Sequence, residues 1–191
     1  MIMKNKRIGL GVTGSFCTFG ELLPYAEALA KENTITSVLS YIVTRTDTRF
    51  YKASEFKRDL VTATKGAVIE TIVDAEPVGP KKMFDVFVIA PCTGNSLAKL
   101  AAGITDTPVL MAAKAHLRNG RPLVIAVSTN DALSNNAKNI GALLNFRNVY
   151  FVPMKQDAPM AKERSVVADL SKLEETCESA LAGIQLQPIL L

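Results

Sequence analysis

Tryptophan is absent from this 191-residue chain, histidine occurs once and cysteine three times. Cys17, Cys92 and Cys177 are odd in number and far apart, so with the single His116 they offer neither a disulfide framework nor a metal-ligand cluster. Sparse, unpaired thiols point to a reducing cytoplasm. No run of about twenty apolar residues exists, which removes a membrane-spanning helix. The segment MIMKNKRIGLGV has basic residues ahead of apolar ones, but neither the long apolar run nor the small-residue cleavage site of a secretory leader. A dominant charge is missing as well. The 22 basic and 18 acidic side chains leave +4, spread along the chain without the basic stripe that a phosphate backbone requires, which argues against nucleic acid.

What is present is a soluble composition, 48% hydrophobic and 21% charged, at a length suited to one domain spanning 1–191. Short runs rich in Val, Ile and Leu recur at 7–13, 35–44, 84–90, 122–128 and 149–152, with helix-period segments between most of them. That alternation predicts an α/β fold: a single-domain, Rossmann-like three-layer arrangement with a mostly parallel, doubly wound sheet. FDVFVIAP and RPLVIAVS are apolar almost throughout and read as central strands covered on both faces, whereas the more mixed TSVLSYIVT belongs nearer an edge. Residues 52–75 read as helix, turn and helix, and AEPVGPKK as an irregular loop. Polar, proline-interrupted residues 153–165 read as a flap, followed by a helix over 167–183 and a tail, so that 167–191 form the C-terminal part.

RIGLGVTGSF holds Gly9, Gly11 and Gly14 in the spacing G-x-G-x-x-G. A dinucleotide site would place the first glycine at the tight turn and an acid at the end of the second strand. Here Gly9 and Gly11 fall inside the apolar run, the turn belongs at Thr13-Gly14-Ser15, and the second run ends in Thr44-Arg45-Thr46, hydroxyls and a cation better suited to a phosphate. GVTGSFCT is then either an anion-binding nest of amides with the Ser15 hydroxyl, opening onto a helix N-terminus, or an ordinary strand-to-helix turn. Thr18 with Glu21 three residues on spells a capping box for the following helix, which Pro24 should bend.

PCTGNSLAKLAAGITD follows a strand and sets Thr93, Asn95 and Ser96 at the carboxyl end of the sheet, where open α/β folds bind ligands. This segment resembles the P-[AC]-[ST]-[AG]-N-[ST]-x-x-K-x-A-x-G-x-x-D signature of the homo-oligomeric flavin-containing cysteine decarboxylase family, with Pro91, Thr93, Asn95, Lys99, Ala101, Gly103 and Asp106 in register. The resemblance implies FMN held by Gly14, Ser15, Thr44, Thr46, Thr93, Asn95, Ser96 and Ser128, in a homo-oligomer built from trimers. STNDAL is similar to the family's substrate-clamp region, with Asn130 matching its asparagine; the prolyl part of the clamp motif is missing, and Ser128 and Thr129 stand where a flavin prenyltransferase carries an Arg-Glu pair. The histidine that decarboxylases of the family place ahead of the signature strand is also missing. His116 lies on the other side of the motif and reads as a solvated or capping side chain. Cys92 and Cys17 read as small buried fillers, and Cys177 as helix core.

A narrower resemblance, through TRTDTRF, AEPVGPK, VPMKQDAP and QLQPIL among others, spans nearly the whole chain. It is to a branch of these flavoproteins in spore-forming bacteria that serves as one half of a two-component synthase. It implies a partner polypeptide that uses NAD(P), a small dicarboxylate substrate, and the cytoplasm of the mother cell. Substrate contacts are then expected from Asn130, Arg49 and Lys99, with Arg45 and Arg164 as further cations, because guanidinium and ammonium groups pair with carboxylates. Two other readings stay open: flavin-dependent decarboxylation of a cysteine-type substrate, and a non-catalytic scaffold for the partner. No catalytic residue is assigned.

Overall fold

A computed structural model describes residues 3–191. In chain order the elements are β1 (Arg7–Val12), α1 (Phe19–Ala30), β2 (Thr34–Leu39), α2 (Tyr41–Arg45), α3 (Ala53–Thr64), β3 (Val68–Ile69), α4 (Ile72–Ala75) and β4 (Val86–Cys92). They continue as α5 (Gly94–Ala101), α6 (Pro108–Leu117), β5 (Leu123–Thr129), α7 (Ala137–Leu144), β6 (Val149–Phe151), β7 (Met154–Lys155), β8 (Val166–Ala168) and α8 (Leu173–Leu181). The sheet runs β3-β2-β1-β4-β5-β8-β7, with β6 also pairing β5. Pairings among β1 to β6 are parallel, whereas β8 lies antiparallel to both β5 and β7. This is the expected single α/β unit with a mostly parallel sheet. Among the described residues no helix is long and apolar enough to cross a membrane.

Period-two alternation sends each central strand into two cores. Val86, Val88 and Ala90 of β4 pack with Val124 and Ala126 of β5 on one face, beneath α1 and α8. Phe87, Ile89 and Cys92 pack with Leu123, Ile125 and Val127 on the other, beneath α6. Because both faces are covered, both strands read as unbroken apolar runs. The same alternation explains Gly9 and Gly11. Ile8, Leu10 and Val12 fill the first core, while the glycines face the second, where a Cβ on Gly9 would come within 2.6 Å of Phe84 Cε2 and one on Gly11 within 2.9 Å of Val109 Cγ1. Their smallness serves close packing of Phe84, Phe87 and α6; it is not a nucleotide turn.

Several elements depart from the sequence pattern, among them β7, inside the stretch read as a flap, and a 3-10 turn at Glu76–Val78, inside the one read as an irregular loop. The second strand stops at Leu39, and 41–45 are helical because Val43 turns into the first core and Ser40 takes the N-cap position. Residues 52–75 contain β3, a two-residue edge strand between the two helices. The last helix begins at Leu173, since Val166–Ala168 return along β5 and β7 as a strand. Thr18 does cap α1 by position, but its hydroxyl donates to the Ser15 carbonyl at 2.8 Å and the capping-box bond is not made.

Candidate active site

Three strand-end loops meet at the carboxyl edge of the sheet. Thr13, 2% exposed, joins the first two: its Oγ1 donates to the Pro91 carbonyl (2.8 Å) and accepts from the Thr93 N–H (2.9 Å). A buried hydroxyl satisfied on both sides fixes the loop after β1 against the loop after β4. The third loop joins through Ser15 and Ser128, whose hydroxyl oxygens lie 2.7 Å apart although 113 positions separate them.

At the start of α5, Thr93 Oγ1 accepts from the Ser96 N–H (3.2 Å) and donates to Ser96 Oγ (3.1 Å), a side-chain cap that orders the first turn and its free amides. Gly94 packs directly on the loop after β5. A Cβ there would stand 2.6 Å from Asp131 Oδ1 and 2.7 Å from Thr129 Oγ1, and closer still to Asn136 Nδ2. That loop is itself knotted by Asp131, which accepts from Thr129 Oγ1 (2.5 Å) and from Asn136 Nδ2 (2.9 Å to each oxygen).

The resulting cleft, about 690 Å³, is lined by Gly14, Ser15, Thr93, Asn95, Ser128 and Asn130, with Phe50 on one wall and Asp157 and Lys162 at the flap. A second lobe of about 510 Å³ shares Gly14, Thr93 and Asn95 and extends to Ser40, Ser96 and Lys99. Each volume is that of a small-molecule site. Ser40 borders that lobe with its Oγ buried and without a hydrogen-bond partner, one of two such hydroxyls with Ser37 of β2, each at a desolvation cost of about 1–3 kcal/mol. The donor set of hydroxyls, amides and helix-start N–H groups suits a phosphorylated, hydroxylated ligand such as FMN. No cluster of three or more His, Cys, Asp or Glu side chains among the described residues could hold a metal ion.

Gly14, Ser15, Thr93, Asn95, Ser96 and Ser128 are thus brought together, and Asn130 opens onto the same cleft. Thr44 and Thr46 are not among the lining residues, and the Thr44 hydroxyl donates within its own helix to the Tyr41 carbonyl (3.1 Å). Arg49 lies outside both lobes with its guanidinium carbon 4.8 Å from the Phe50 ring centroid. Lys99 lines the second lobe but is ion-paired to Asp106 at 2.6 Å. Arg45 sits over the Tyr41 ring, and Arg164 pairs with Glu163.

His116 is not solvated. It is 1% exposed beside Phe84 and Phe87, its Nε2–H donates to the Pro122 carbonyl (2.9 Å), and burial pulls its pKa down to about 4. Cys92 and Cys177 are fully buried; burial pushes the Cys92 thiol far up and, with Glu174 and Glu178 nearby, the Cys177 thiol to about 12. Cys17, expected to be buried, is exposed on the cleft wall. The sequence alone did not mark Ser40, Asp131, Asp157 or Lys162 as site residues, nor Thr13 as the tie between loops; only Ser40, a hydroxyl within an apolar run, carried a local signal.

The chain belongs to the Flavoprotein family, whose model matches residues 2–177. It is 47% identical over 190 residues to the B subunit of dipicolinate synthase from Bacillus subtilis (strain 168), an alignment covering 99% of this chain and 95% of the relative. The crystal structure of the dipicolinate synthase B subunit from Bacillus halodurans C superposes with a TM-score of 0.92 at 46% identity, covering 100% of this chain and 98% of that one. The FMN-dependent cysteine decarboxylase SpaF shares the fold, with a TM-score of 0.65 at 22% identity over 91% of this chain and 96% of that one.

Proposed function

We propose that this chain is the B subunit of a dipicolinate synthase: it binds FMN and works with the nicotinamide-dependent A subunit, which carries NAD(P), to oxidise dihydrodipicolinate to pyridine-2,6-dicarboxylate in the mother-cell cytoplasm of a sporulating bacterium. The observation that carries the reading is the 47% identity, over 99% of the chain, with a relative of that name. The flavin part is supported by the family and by the unpartnered Ser40 hydroxyl in a cleft of matching chemistry. A homo-oligomer built from trimers is part of the same reading.

Aromatising a dihydropyridine removes a hydride and a proton, and FMN when bound supplies the two-electron acceptor. The chain's own residues bind and orient. Ser15, Ser40 and the amides opening α5 would hold the phosphate and ribityl oxygens, Asn95 and Ser128 would fix the ring system, and Asn130 would contact substrate. The Gly94 contact with Thr129 and Asp131 keeps those loops at one spacing, so that donor positions are set before ligand arrives.

Cysteine-type decarboxylation finds little support, because the one histidine is locked in the core. The deciding experiment mixes the purified chain with its nicotinamide-dependent partner, an oxidised nicotinamide cofactor and dihydrodipicolinate, and follows dipicolinate with and without FMN. FMN uptake with a visible flavin spectrum and FMN-dependent product formation are expected. A colourless protein that takes up no FMN yet sustains full output would replace the flavin reading with that of a scaffold.

A further inference from the structure

We propose that Lys162 is the carboxylate-recognising residue of the main lobe, parked on Asp157 and released to a dicarboxylate that competes for it; this rests on reading the cleft as the site of a dicarboxylate-forming synthase. A small dianion needs a cation, and among the described residues lining this lobe Lys162 is the one basic side chain. The cations expected from the sequence do not line this lobe: Lys99 opens onto the second lobe beside Asp106, and Arg45, Arg49 and Arg164 border neither.

Of the two acids lining the lobe, Asp131 is held by hydrogen bonds to Thr129 and Asn136 and stays where it is. Asp157 is the partner of Lys162, at 3.0 Å, with the two side chains 24% and 59% exposed. The Ser165 hydroxyl and the Lys162 ammonium hold the Asp157 carboxyl below the usual carboxylate range, so the acid stays charged and retains its cation at neutral pH. A pair this exposed is weak and open to competition.

Lys162 is nevertheless well placed. Its N–H donates to the Ala158 carbonyl (2.6 Å), Ser165 N–H donates to the Lys162 carbonyl (2.9 Å), Gln156 Nε2 donates to the Glu163 carbonyl (2.7 Å), and Leu133 N–H donates to the Arg164 carbonyl (3.1 Å). These bonds make the segment between β7 and β8 a braced turn, tied to the loop that carries Asn130. Lys162 and Asn130 line the same cleft and can therefore meet one ligand, a cation for one carboxylate and an amide for the other.

Calorimetric titration of pyridine-2,6-dicarboxylate and of pyridine-2-carboxylate into the full chain, with and without FMN, tests this. Lys162→Gln should weaken dicarboxylate binding about tenfold or more, the loss expected for a hydrogen bond to a charged group. Lys162→Arg should restore most of it. Asp157→Asn, which frees the lysine, should tighten binding about two- to fivefold, the range set by an exposed ion pair. A merely structural pair would shift both variants the same way. Unchanged affinity in Lys162→Gln, weaker binding in Asp157→Asn, or no dicarboxylate binding by the parent chain overturns the proposal. FMN uptake is scored separately by flavin fluorescence, so a failure there removes the flavin reading while the FMN-free titrations still decide the role of Lys162.

Discussion

Replacing His116 by glutamine should flatten the acid limb of the stability curve. The imidazole is buried beside Phe84 and Phe87 with its Nε2–H on the Pro122 carbonyl, and desolvation, helped by Arg121, outweighs that bond and the nearby Asp85 to set its folded pKa to about 4, against 6.5 for the free side chain. Folding therefore favours the neutral ring. The stabilisation is complete above pH 6.5 and is lost as the pH falls toward 4, because the unfolded chain takes up the proton first. The gap corresponds to about 3 kcal/mol in full and about 2 kcal/mol by pH 5, at 1.36 kcal/mol per pKa unit. Glutamine can still donate to Pro122 but does not titrate. The variant should start lower at pH 8, by about 1–3 kcal/mol for lost ring packing, and then lose about 2 kcal/mol less than the parent on going to pH 5. Urea unfolding at both pH values, with unchanged m-values, reads the difference. Equal losses in the two proteins would show that the ring is protonated at no extra cost in the folded state, and the argument from burial would fail.

Ser40→Ala should act in opposite directions on the two states, stabilising the ligand-free protein by about 1 kcal/mol as an unsatisfied hydroxyl is removed while weakening FMN retention; thermal midpoints with and without FMN measure both. Gly94→Ala should cost about 1–3 kcal/mol and abolish FMN uptake, because the new methyl must displace Asp131, Thr129 and Asn136 together. Gly14→Ala, whose methyl would meet only the Cγ2 methyl of the half-exposed Ile42 at 2.8 Å, should cost less than Gly94→Ala, and equal damage in the two variants would refute the contact argument. A maleimide should label one thiol per folded chain, Cys17, with Cys92 and Cys177 reacting only after denaturation; fast labelling of two or three thiols would contradict the burial.

Legibility in the sequence followed the range of the forces involved. β4 and β5 were readable because burial on both faces writes itself as unbroken apolar runs, and the Gly14-Ser15 turn because turn chemistry is local. SYIVT misled because its β-branched residues favour a strand, while the packing of Val43 into the first core makes it a helix. β3 and β8, two and three residues long, have no periodicity to detect. Gly14, Ser15, Thr93, Asn95, Ser128 and Asn130, a minority of the cleft lining, were legible one by one, yet Thr13 against Thr93 and Ser15 against Ser128 are pairings across 80 and 113 positions that no local pattern announces. His116 and Cys17 exchanged their expected surroundings for the same reason: AAKAHL packs almost all round, and a residue beside a glycine turn follows the cleft wall.

The tail QLQPILL does more than end the chain. Met154 N–H donates to the Ile189 carbonyl (2.9 Å) and Leu191 N–H to the Met154 carbonyl (3.0 Å), so the last residues lie along β7, the outermost strand on that side. An open strand border invites a neighbouring molecule to zip onto it, and here the chain supplies its own blocker. Removing that blocker would leave adhesive backbone groups of β7 uncovered, so freedom from aggregation rests on this short stretch of peptide.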